Sequence, residues 1–317
     1  MKQFPLQKRI ASTCWQGDER RCFSRRDFLG QGGTFALALG IGQQLAAYAA
    51  APEAGKSAST LLAWNVSVQH YTYRRFSLFE AMEKAAAIGL RFFEVRSNLK
   101  LGTKWPGKNA DENMPADACL EFKKRLAELG LSVSSVFADF NGKPEQAQRL
   151  FSFWKGIGAR VIVAEPDVKL LDTLETLCEK HDMRLALHNH QKGKSFYWSP
   201  EIVLESCANR SKLLGACADV GQWARSDLDP VECLRKLEGR IHNFHLKDVR
   251  KKGDLNAGNT VMGEGQADCA NTLKELRRQG YKGVIAIDFE HDTPNLQEDM
   301  AKNIAFIEEQ AKQLLTQ

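Results

Sequence analysis

The sequence lacks several features by which common functional classes are recognised. Its eight cysteines include no C-x-x-C pair, which argues against a zinc ribbon. It contains no glycine-rich phosphate-binding loop. Its most apolar N-terminal stretch, Thr34 to Ala51, includes Gln43 and Gln44 and is short for a membrane span. These absences argue against a zinc ribbon, a phosphate-binding loop and a membrane span. The positions of the polar residues are therefore the main evidence for function.

The first 51 residues have the features of a targeting segment. Ser24-Arg25-Arg26-Asp27-Phe28-Leu29 resembles the twin-arginine pattern S-R-R-x-F-L and follows a basic leader. The apolar stretch after it contains Ala47 and Ala49, which suit a peptidase of the A-x-A type. We therefore predict a cleaved signal at residues 1–51 and a linker at 52–60. The protein is expected to reach the periplasm through the twin-arginine translocation machinery, without a stable membrane anchor.

Removal of this signal also removes most of the net charge. The whole chain carries +5, but residues 1–51 contain 7 basic and 3 acidic residues, so 37 basic and 36 acidic residues remain. A nearly neutral mature chain gives no indication of nucleic acid as a partner. The six cysteines that remain are widely spaced, and we expect most of them to be buried thiols.

After the linker, short apolar runs alternate with amphipathic stretches such as the one that includes Leu120, Phe122 and Leu126. Eight runs are typical of buried strands: Leu62–Gln69, Phe92–Arg96, Val133–Ala138, Val161–Glu165, Arg184–His190, Gly215–Val220, Ile241–Lys247 and Val284–Phe289. Eight alternating units predict an α/β fold of the TIM (β/α)8 barrel type over residues 61–317.

Polar residues stand at the ends of these predicted strands. His188 and His190 are two residues apart, so on a strand they would point to the same side. The carboxyl ends of barrel strands meet at one mouth, where barrel enzymes have their active sites. We therefore expect the following strand-end residues to form one site: Gln69, Glu94, Glu165, His188, His190, Asp219, His245, Asp288 and Glu290.

Several motifs together give the chain from Leu61 onward a specific resemblance. They are Ala186-Leu-His-Asn-His190, the segment from Ala218 to Pro230, Gly239-Arg-Ile-His-Asn-Phe-His-Leu-Lys-Asp248 and Met262-Gly-Glu-Gly265. In this order and spacing they resemble the sugar phosphate isomerase/epimerase family of xylose isomerase-like barrels. The resemblance implies a barrel enzyme that acts on a carbohydrate.

The resemblance also implies one divalent metal ion. The family's ligand positions correspond to His188, Asp219, His245 and Asp288, but His188 and Asp288 both stand where Glu is usual. We expect Glu165 to supply the missing carboxylate. Whether His188 or His190, and whether Asp288 or Glu290, acts as ligand stays open. A mixed nitrogen and oxygen shell suits Mn, Co, Zn or Fe.

Such a site supports proton abstraction next to a carbonyl group, with the metal acting as a Lewis acid. Glu290, Asp288 and His190 are the candidate acids and bases. Lys247 has two interpretations. If the strand stays regular, it is expected to point away from His245 and to pair with a neighbouring helix. The resemblance instead implies a catalytic lysine near the substrate.

The substrate is expected to be a keto-sugar, polyol or oxidised glycoside, because a phosphorylated sugar is unusual outside the cytoplasm. Relatives with a twin-arginine leader include enzymes that act on 3-keto-glycosides. Epimerisation, isomerisation and elimination all remain open. The candidate substrate-binding residues are Gln69, Tyr71, Arg74, Glu94, Trp223 and Arg225.

Two other classes remain as alternatives. One is a phosphodiester hydrolase that resembles the apurinic endonucleases. Gln222 argues against it, because relatives often have His at that position and a multi-zinc site needs additional imidazoles. The other is a periplasmic sugar-binding barrel without catalytic activity.

Overall fold

Eight short apolar runs form a closed barrel of parallel strands in the computed structural model, which describes residues 56–316. Around the barrel the strands follow the order β1, β10, β7, β6, β5, β4, β3, β2. Their bounds are Trp64–Gln69 (β1), Phe92–Arg96 (β2), Ser132–Phe137 (β3), Val161–Ala164 (β4), Arg184–His188 (β5), Leu214–Asp219 (β6), Ile241–Leu246 (β7) and Gly283–Ile287 (β10). The predicted (β/α)8 barrel is confirmed.

Helices surround this barrel, and their ends follow the sequence. A capping box between Ser77 and Glu80 begins α2, and Gly130, at φ 62°, ends α3. The helices are Ala58–Leu61 (α1), Leu78–Ala87 (α2), Ala116–Leu129 (α3), Pro144–Ile157 (α4), Leu171–His181 (α5), Pro200–Ser206 (α6), Val220–Arg225 (α7), Pro230–Lys236 (α8), Cys269–Arg278 (α9) and Leu296–Leu315 (α10). Leu120 was expected on the buried face of α3, but it is exposed, because Ala118, Phe122 and Leu126 form that face.

Apolar side chains fill two separate spaces. The larger core lies between the barrel and its helices and includes Trp154, Leu174 and Phe244. A small cluster inside the barrel contains Phe137, Val161, Val163, Ala186 and Cys217. This apolar cluster shares the barrel's interior with a few buried polar side chains, such as Glu94, Ser135 and Asn243, and the other polar strand ends gather at the mouth.

Several strands end one or two residues earlier than predicted. Glu165, His190 and Lys247 were placed within strands, yet they lie just beyond the last paired residues of β4, β5 and β7. These residues therefore belong to the loops that form the rim of the barrel.

The sequence also gave no indication of a small antiparallel ribbon, which pairs Asp248–Val249 (β8) with Asn259–Thr260 (β9). Strands of two residues are too short to show the alternation by which strands are predicted.

The predicted signal at residues 1–51 lies outside the described residues. The predicted linker ends in α1, where Ser59 donates a hydrogen bond from its Oγ to Glu308 of α10. Between residues 56 and 316 no helix combines the length and the apolar character needed to cross a membrane.

Candidate active site

The carboxyl ends of the strands bring four buried polar side chains to one mouth of the barrel. Asp219 ends β6 and is the register partner of His245 on β7, so both side chains lie at the same height. His188 ends β5, and Asp288 lies one residue beyond β10. His188 and Asp288, the more accessible of the four, are only 2% and 4% exposed. Burial of so many ionisable groups is costly unless they are paired or bind a ligand.

Glu165 holds two of the histidines. Its Oε1 atom accepts a hydrogen bond from Nδ1 of His188 at 2.9 Å and another from Nδ1 of His190. This leaves Nε2 of His188 facing Oδ2 of Asp219 at 3.6 Å. Burial would raise the pKa of Glu165, but its bonds to the two histidines lower that pKa well below its usual range. Glu165 thus orients the imidazole of His188, and with His188 and His190 it forms a group whose ligand atoms could hold a metal ion, so its expected role as a ligand stays a prediction.

Glu94 holds His245 in the same way from deeper in the barrel. Its Oε1 atom lies 2.7 Å from Nε2 of His245, and its side chain is fully buried. Glu94 was expected to bind substrate, but it does not line the cavity at the mouth. Nδ1 of His245 consequently faces the cluster, 3.9 Å from Asp219 Oδ2 and 3.8 Å from Asp288 Oδ2.

Lys247 also lies inside the cluster. Its Nζ atom is 3.2 Å from Asp219, 2.8 Å from Asp288 and 2.5 Å from Glu290. Burial would lower the pKa of Lys247, but the three carboxylates outweigh burial and raise it. Lys247 does not point away from His245: β7 ends at Leu246, and Nζ of Lys247 lies beside Asp219 and Asp288, the carboxylates that also face His245.

Four of the cluster's buried atoms have no hydrogen-bond partner among the described residues. They are Nε2 of His188, Oδ2 of Asp219, Nδ1 of His245 and Oδ1 of Asp288. Oδ2 of Asp219 is within ion-pair distance of Lys247, but the direction does not suit a hydrogen bond. Buried polar atoms are rarely left unpaired, so a group of four indicates a ligand. Two imidazole nitrogens and two carboxylate oxygens form the kind of mixed set that binds a transition metal.

Glu290 lies at the edge of the cluster, nearer to solvent. Its side chain is 29% exposed and accepts a hydrogen bond from Lys247. Burial would raise the pKa of Glu290, but the ammonium group of Lys247 outweighs it and lowers the pKa to about 2. Glu290 is therefore an ionised carboxylate beside the cavity.

A cavity of about 330 Å³ opens above the cluster. Among the predicted substrate-binding residues, Gln69, Tyr71 and Arg225 line it. Five further residues that are not predicted to bind substrate also line it, although Arg96 ends a predicted strand. These are Arg96, Asn98, Phe137, Gln191 and Lys194. An adjoining cavity of about 380 Å³ shares Arg96, Phe137, His190 and Lys194 and extends to Asp139 and Phe140.

Two other predicted substrate-binding residues lie away from this cavity. Arg74 pairs with Asp292 at 2.5 Å and lines a different cavity, between the first 3-10 turn, His70–Tyr73, and the loop after β10. Trp223 is 1% exposed and packs in the core behind α7. The side chain of Trp223 points inward because α7 begins immediately after Asp219 and presents Gln222 and Arg225 to the cavity instead.

Arg225 connects the mouth with the ribbon. Its guanidinium group donates to the carbonyl of Ala257 at 3.0 Å, to Gln222 at 3.1 Å and to Oδ1 of Asn259 at 2.8 Å. The ribbon is itself fixed by Asp248, whose carboxylate accepts from the amides of Val249, Gly263, Gly265 and Ala267.

Glycine is required in this loop. A Cβ atom on Gly265 would lie 2.3 Å from Oδ1 of Asp248. The loop between the Lys247-Asp248 pair and the Met262-Gly-Glu-Gly265 motif is thus held by Asp248 and contacts Arg225, which lines the cavity.

A closed barrel of eight parallel strands with this polar mouth has the xylose isomerase-like TIM barrel fold. A family model with that description matches residues 167–310. An inosose dehydratase of Clostridium botulinum is 29% identical over 136 residues, which are 38% of this chain and 45% of that protein. An inosose dehydratase of Mesomycoplasma hyopneumoniae is 24% identical over 235 residues, which are 59% of this chain and 78% of that protein. The chain therefore spans about half the length of the clostridial relative.

Solved structures have the same fold. An uncharacterised protein of Parabacteroides distasonis is 28% identical, with a TM-score of 0.62 over 78% of this chain and 98% of that chain. The IolI protein, whose crystal structure contains a zinc atom, is 14% identical, with a TM-score of 0.59 over 79% of this chain and 96% of that chain.

Proposed function

We propose that this chain is a divalent-metal-dependent enzyme of the sugar phosphate isomerase/epimerase family, and that it removes a proton next to the carbonyl group of a sugar-like ketone. The observation that carries the proposal is the convergence of four unpaired buried atoms, from His188, Asp219, His245 and Asp288, at the floor of an open cavity. A structural role alone gives no reason to bury four unpaired polar atoms together.

Asp219, His245 and Asp288 offer ligand atoms that all lie within 4.8 Å of one another and could hold one metal ion, and Nε2 of His188 faces the same Asp219 carboxylate. Oδ2 of Asp219 lies 3.6 Å from Nε2 of His188 and 3.9 Å from Nδ1 of His245. Nδ1 of His245 lies 3.8 Å from Oδ2 of Asp288, the oxygen that also faces Lys247. Two ligand atoms that each lie about 2 Å from one metal ion are separated from each other by about this distance. His188, Asp219, His245 and Asp288 would hold the ion, while Glu94 and Glu165 hold the far sides of the two imidazoles. When bound, such an ion supplies Lewis-acid polarisation of adjacent substrate oxygens.

The residues of the chain supply the proton transfers. Glu290 is ionised, partly exposed and beside the cavity, so it is our candidate for the base that takes the proton. Its neighbour Lys247 stabilises negative charge at the same place. His190 lines the cavity from the loop after β5 and is held by Glu165, so it is our candidate for the acid that protonates a leaving group.

Elimination is the outcome that the relatives favour. The named relatives are inosose dehydratases, which points to loss of water or another β-leaving group after proton removal. The two adjoining cavities also have room for a substituent larger than one sugar ring. We propose an unphosphorylated keto-sugar or oxidised glycoside as substrate. Export to the periplasm remains a prediction from residues 1–51.

The test begins with metal content. The protein, purified without added metal, is analysed by mass spectrometry beside Asp219→Ala and a control, Asp172→Ala, whose side chain is 87% exposed outside the barrel. About one transition metal per chain in the wild type and the control, and none in Asp219→Ala, is expected.

Keto-sugars are then screened by NMR for exchange of the proton next to the carbonyl in deuterated water. If the protein contains metal but no keto-sugar exchanges the proton next to its carbonyl group, the barrel binds metal but catalyses a different reaction. Absence of both metal and exchange would overturn the proposal and favour a binding protein without catalytic activity.

A further inference from the structure

We propose that Glu94 is a positioning residue that fixes the proton of His245 on Nε2 and so directs Nδ1 toward the metal site. The inference rests on the proposed function, because it assigns a partner to one of the metal ligands. Nothing in the sequence links the two residues, which are on β2 and β7.

The contact is specific because both oxygens of Glu94 are engaged. Oε1 lies 2.7 Å from Nε2 of His245. Oε2 accepts hydrogen bonds from Ser135 at 2.5 Å and from Nδ2 of Asn243 at 2.8 Å. With three donors on two oxygens, the carboxylate cannot rotate away. The side chain is fully buried, so no water competes for these bonds.

The other ring nitrogen of His245 is then the only one free to bind a ligand. Nδ1 has no hydrogen-bond partner among residues 56–316 and faces Asp219 and Asp288. Because a carboxylate accepts but does not donate, a proton on Nε2 is the arrangement that satisfies Glu94. Metal-bound histidines commonly donate their second N–H to such a partner, which orients the ring and increases its basicity.

Glu165 also accepts a hydrogen bond from an imidazole of the cluster, that of His188, but it does not serve His188 alone. Its Oε1 atom is shared between His188 and His190, and the side chain is 22% exposed. Glu94 serves one imidazole, lies below the cavity and does not line it. An effect of Glu94 on metal binding therefore cannot arise from direct contact with the substrate.

The test compares Glu94→Gln with Glu275→Gln. Glu275 is also a buried glutamate, 4% exposed, but it lies in α9 and pairs with Arg278. Zinc affinity is measured by competition with a chelator, and the Nε2–H resonance of His245 is followed by NMR in metal-free protein labelled with ¹⁵N-histidine. Glu94→Gln is expected to weaken zinc binding by about ten- to a hundredfold. It should also shift the Nε2–H resonance of His245 and speed its exchange with water, whereas Glu275→Gln should change neither.

Three outcomes would overturn the proposal. If wild-type protein binds no zinc, the proposed function fails together with it. If wild-type protein binds zinc and folded Glu94→Gln binds it equally well, the positioning role alone is wrong. An Nε2–H resonance that is unchanged in Glu94→Gln would likewise exclude the contact.

Should Glu94→Gln fail to fold, Ser135→Ala removes one donor to the same carboxylate. It is expected to weaken zinc binding less than Glu94→Gln and to shift the same resonance. Wild-type zinc affinity with an unmoved resonance in folded Ser135→Ala would overturn the proposal.

Discussion

Lys247 donates a hydrogen bond from Nζ to Oε1 of Glu290 over 2.5 Å, and this contact joins the proposed metal-binding cluster to the proposed base. The same ammonium group lies 2.8 Å from Asp288 and 3.2 Å from Asp219. One buried cation therefore pairs with three carboxyl groups. Its removal should affect both the stability of the barrel and the ionisation of Glu290.

Lys247→Met is expected to destabilise the metal-free protein strongly. The methionine leaves three carboxylates at the mouth without their cation, and removing one partner of a buried ion pair costs roughly 3–5 kcal/mol. Urea unfolding with chelator present measures this change. Lys236→Met is the control, because Lys236 pairs with Glu201 on the surface and such pairs contribute about 0–1 kcal/mol. Equal losses in the two variants would contradict the central position of Lys247.

Glu290→Gln is expected to keep its metal and to lose turnover by roughly a hundredfold or more, because an amide cannot accept the substrate proton. Metal content and proton exchange of a keto-sugar substrate are measured on the same preparation. Gln297→Glu is the control, because Gln297 lies outside the two cavities at the mouth. It also changes the net charge by one on this side of the barrel, and turnover should be unaffected. Unchanged turnover in Glu290→Gln would move the role of base to His190 or Asp288.

The sequence was sufficient for the barrel and for the position of its site. Apolar runs such as Val161–Ala164 form strands in almost any context. Their regular alternation with amphipathic helices is compatible with only a few folds. Because parallel strands end at the same edge, His188, Asp219 and His245 could be assigned to one mouth without knowledge of the packing.

The contacts across the barrel could not be predicted. Glu94 was placed near the substrate because it lies close to a strand end, but its partner depends on register and height across the barrel interior. Arg74 follows β1 by only five residues, yet the first 3-10 turn carries it toward Asp292. The direction in which such a side chain points is set by tertiary packing, which cannot be inferred from a single sequence.

Asp248→Asn is expected to destabilise the loop that Asp248 holds, between Val249 and Ala267. The carboxylate accepts hydrogen bonds from four backbone amides, whereas an asparagine has one acceptor oxygen and an NH₂ group that would face amide donors. A loss of about 1–3 kcal/mol in unfolding free energy is expected.

Hydrogen exchange tests the location of this effect. The amides of Gly263, Gly265 and Ala267 should exchange faster in Asp248→Asn. Asp229→Asn is the matched control, because Asp229 also accepts backbone amides, at the start of α8, and asparagine caps helices as well as aspartate does. Protection of the three amides at the wild-type level would show that the loop does not depend on Asp248.

His70 and His242 should make the folded protein sensitive to acid. Burial lowers the pKa of His70 to about 3, with a further contribution from Arg96, and burial together with Arg184 lowers the pKa of His242 to about 4. Both rings are therefore neutral in the folded state at pH 5, whereas in the unfolded chain they bind protons below about pH 6.5. The unfolded state then binds more protons, so stability falls as the pH decreases from 6.5 toward 4.

Each of these histidines is expected to remove about 2 kcal/mol of stability between pH 7 and pH 5. Urea unfolding of metal-free protein at both pH values measures the loss, and His70→Gln should lose about 2 kcal/mol less than the wild type over the same interval, whatever its absolute stability. His181→Gln should recover a smaller part of this loss, because His181 is only partly buried at the end of α5, and burial with Lys180 and Lys155 lowers its pKa less than that of His70. If His70→Gln loses as much stability as the wild type between the two pH values, His70 is already protonated in the folded state, and its two ring nitrogens, which have no partner in the described structure, must reach water or an anion.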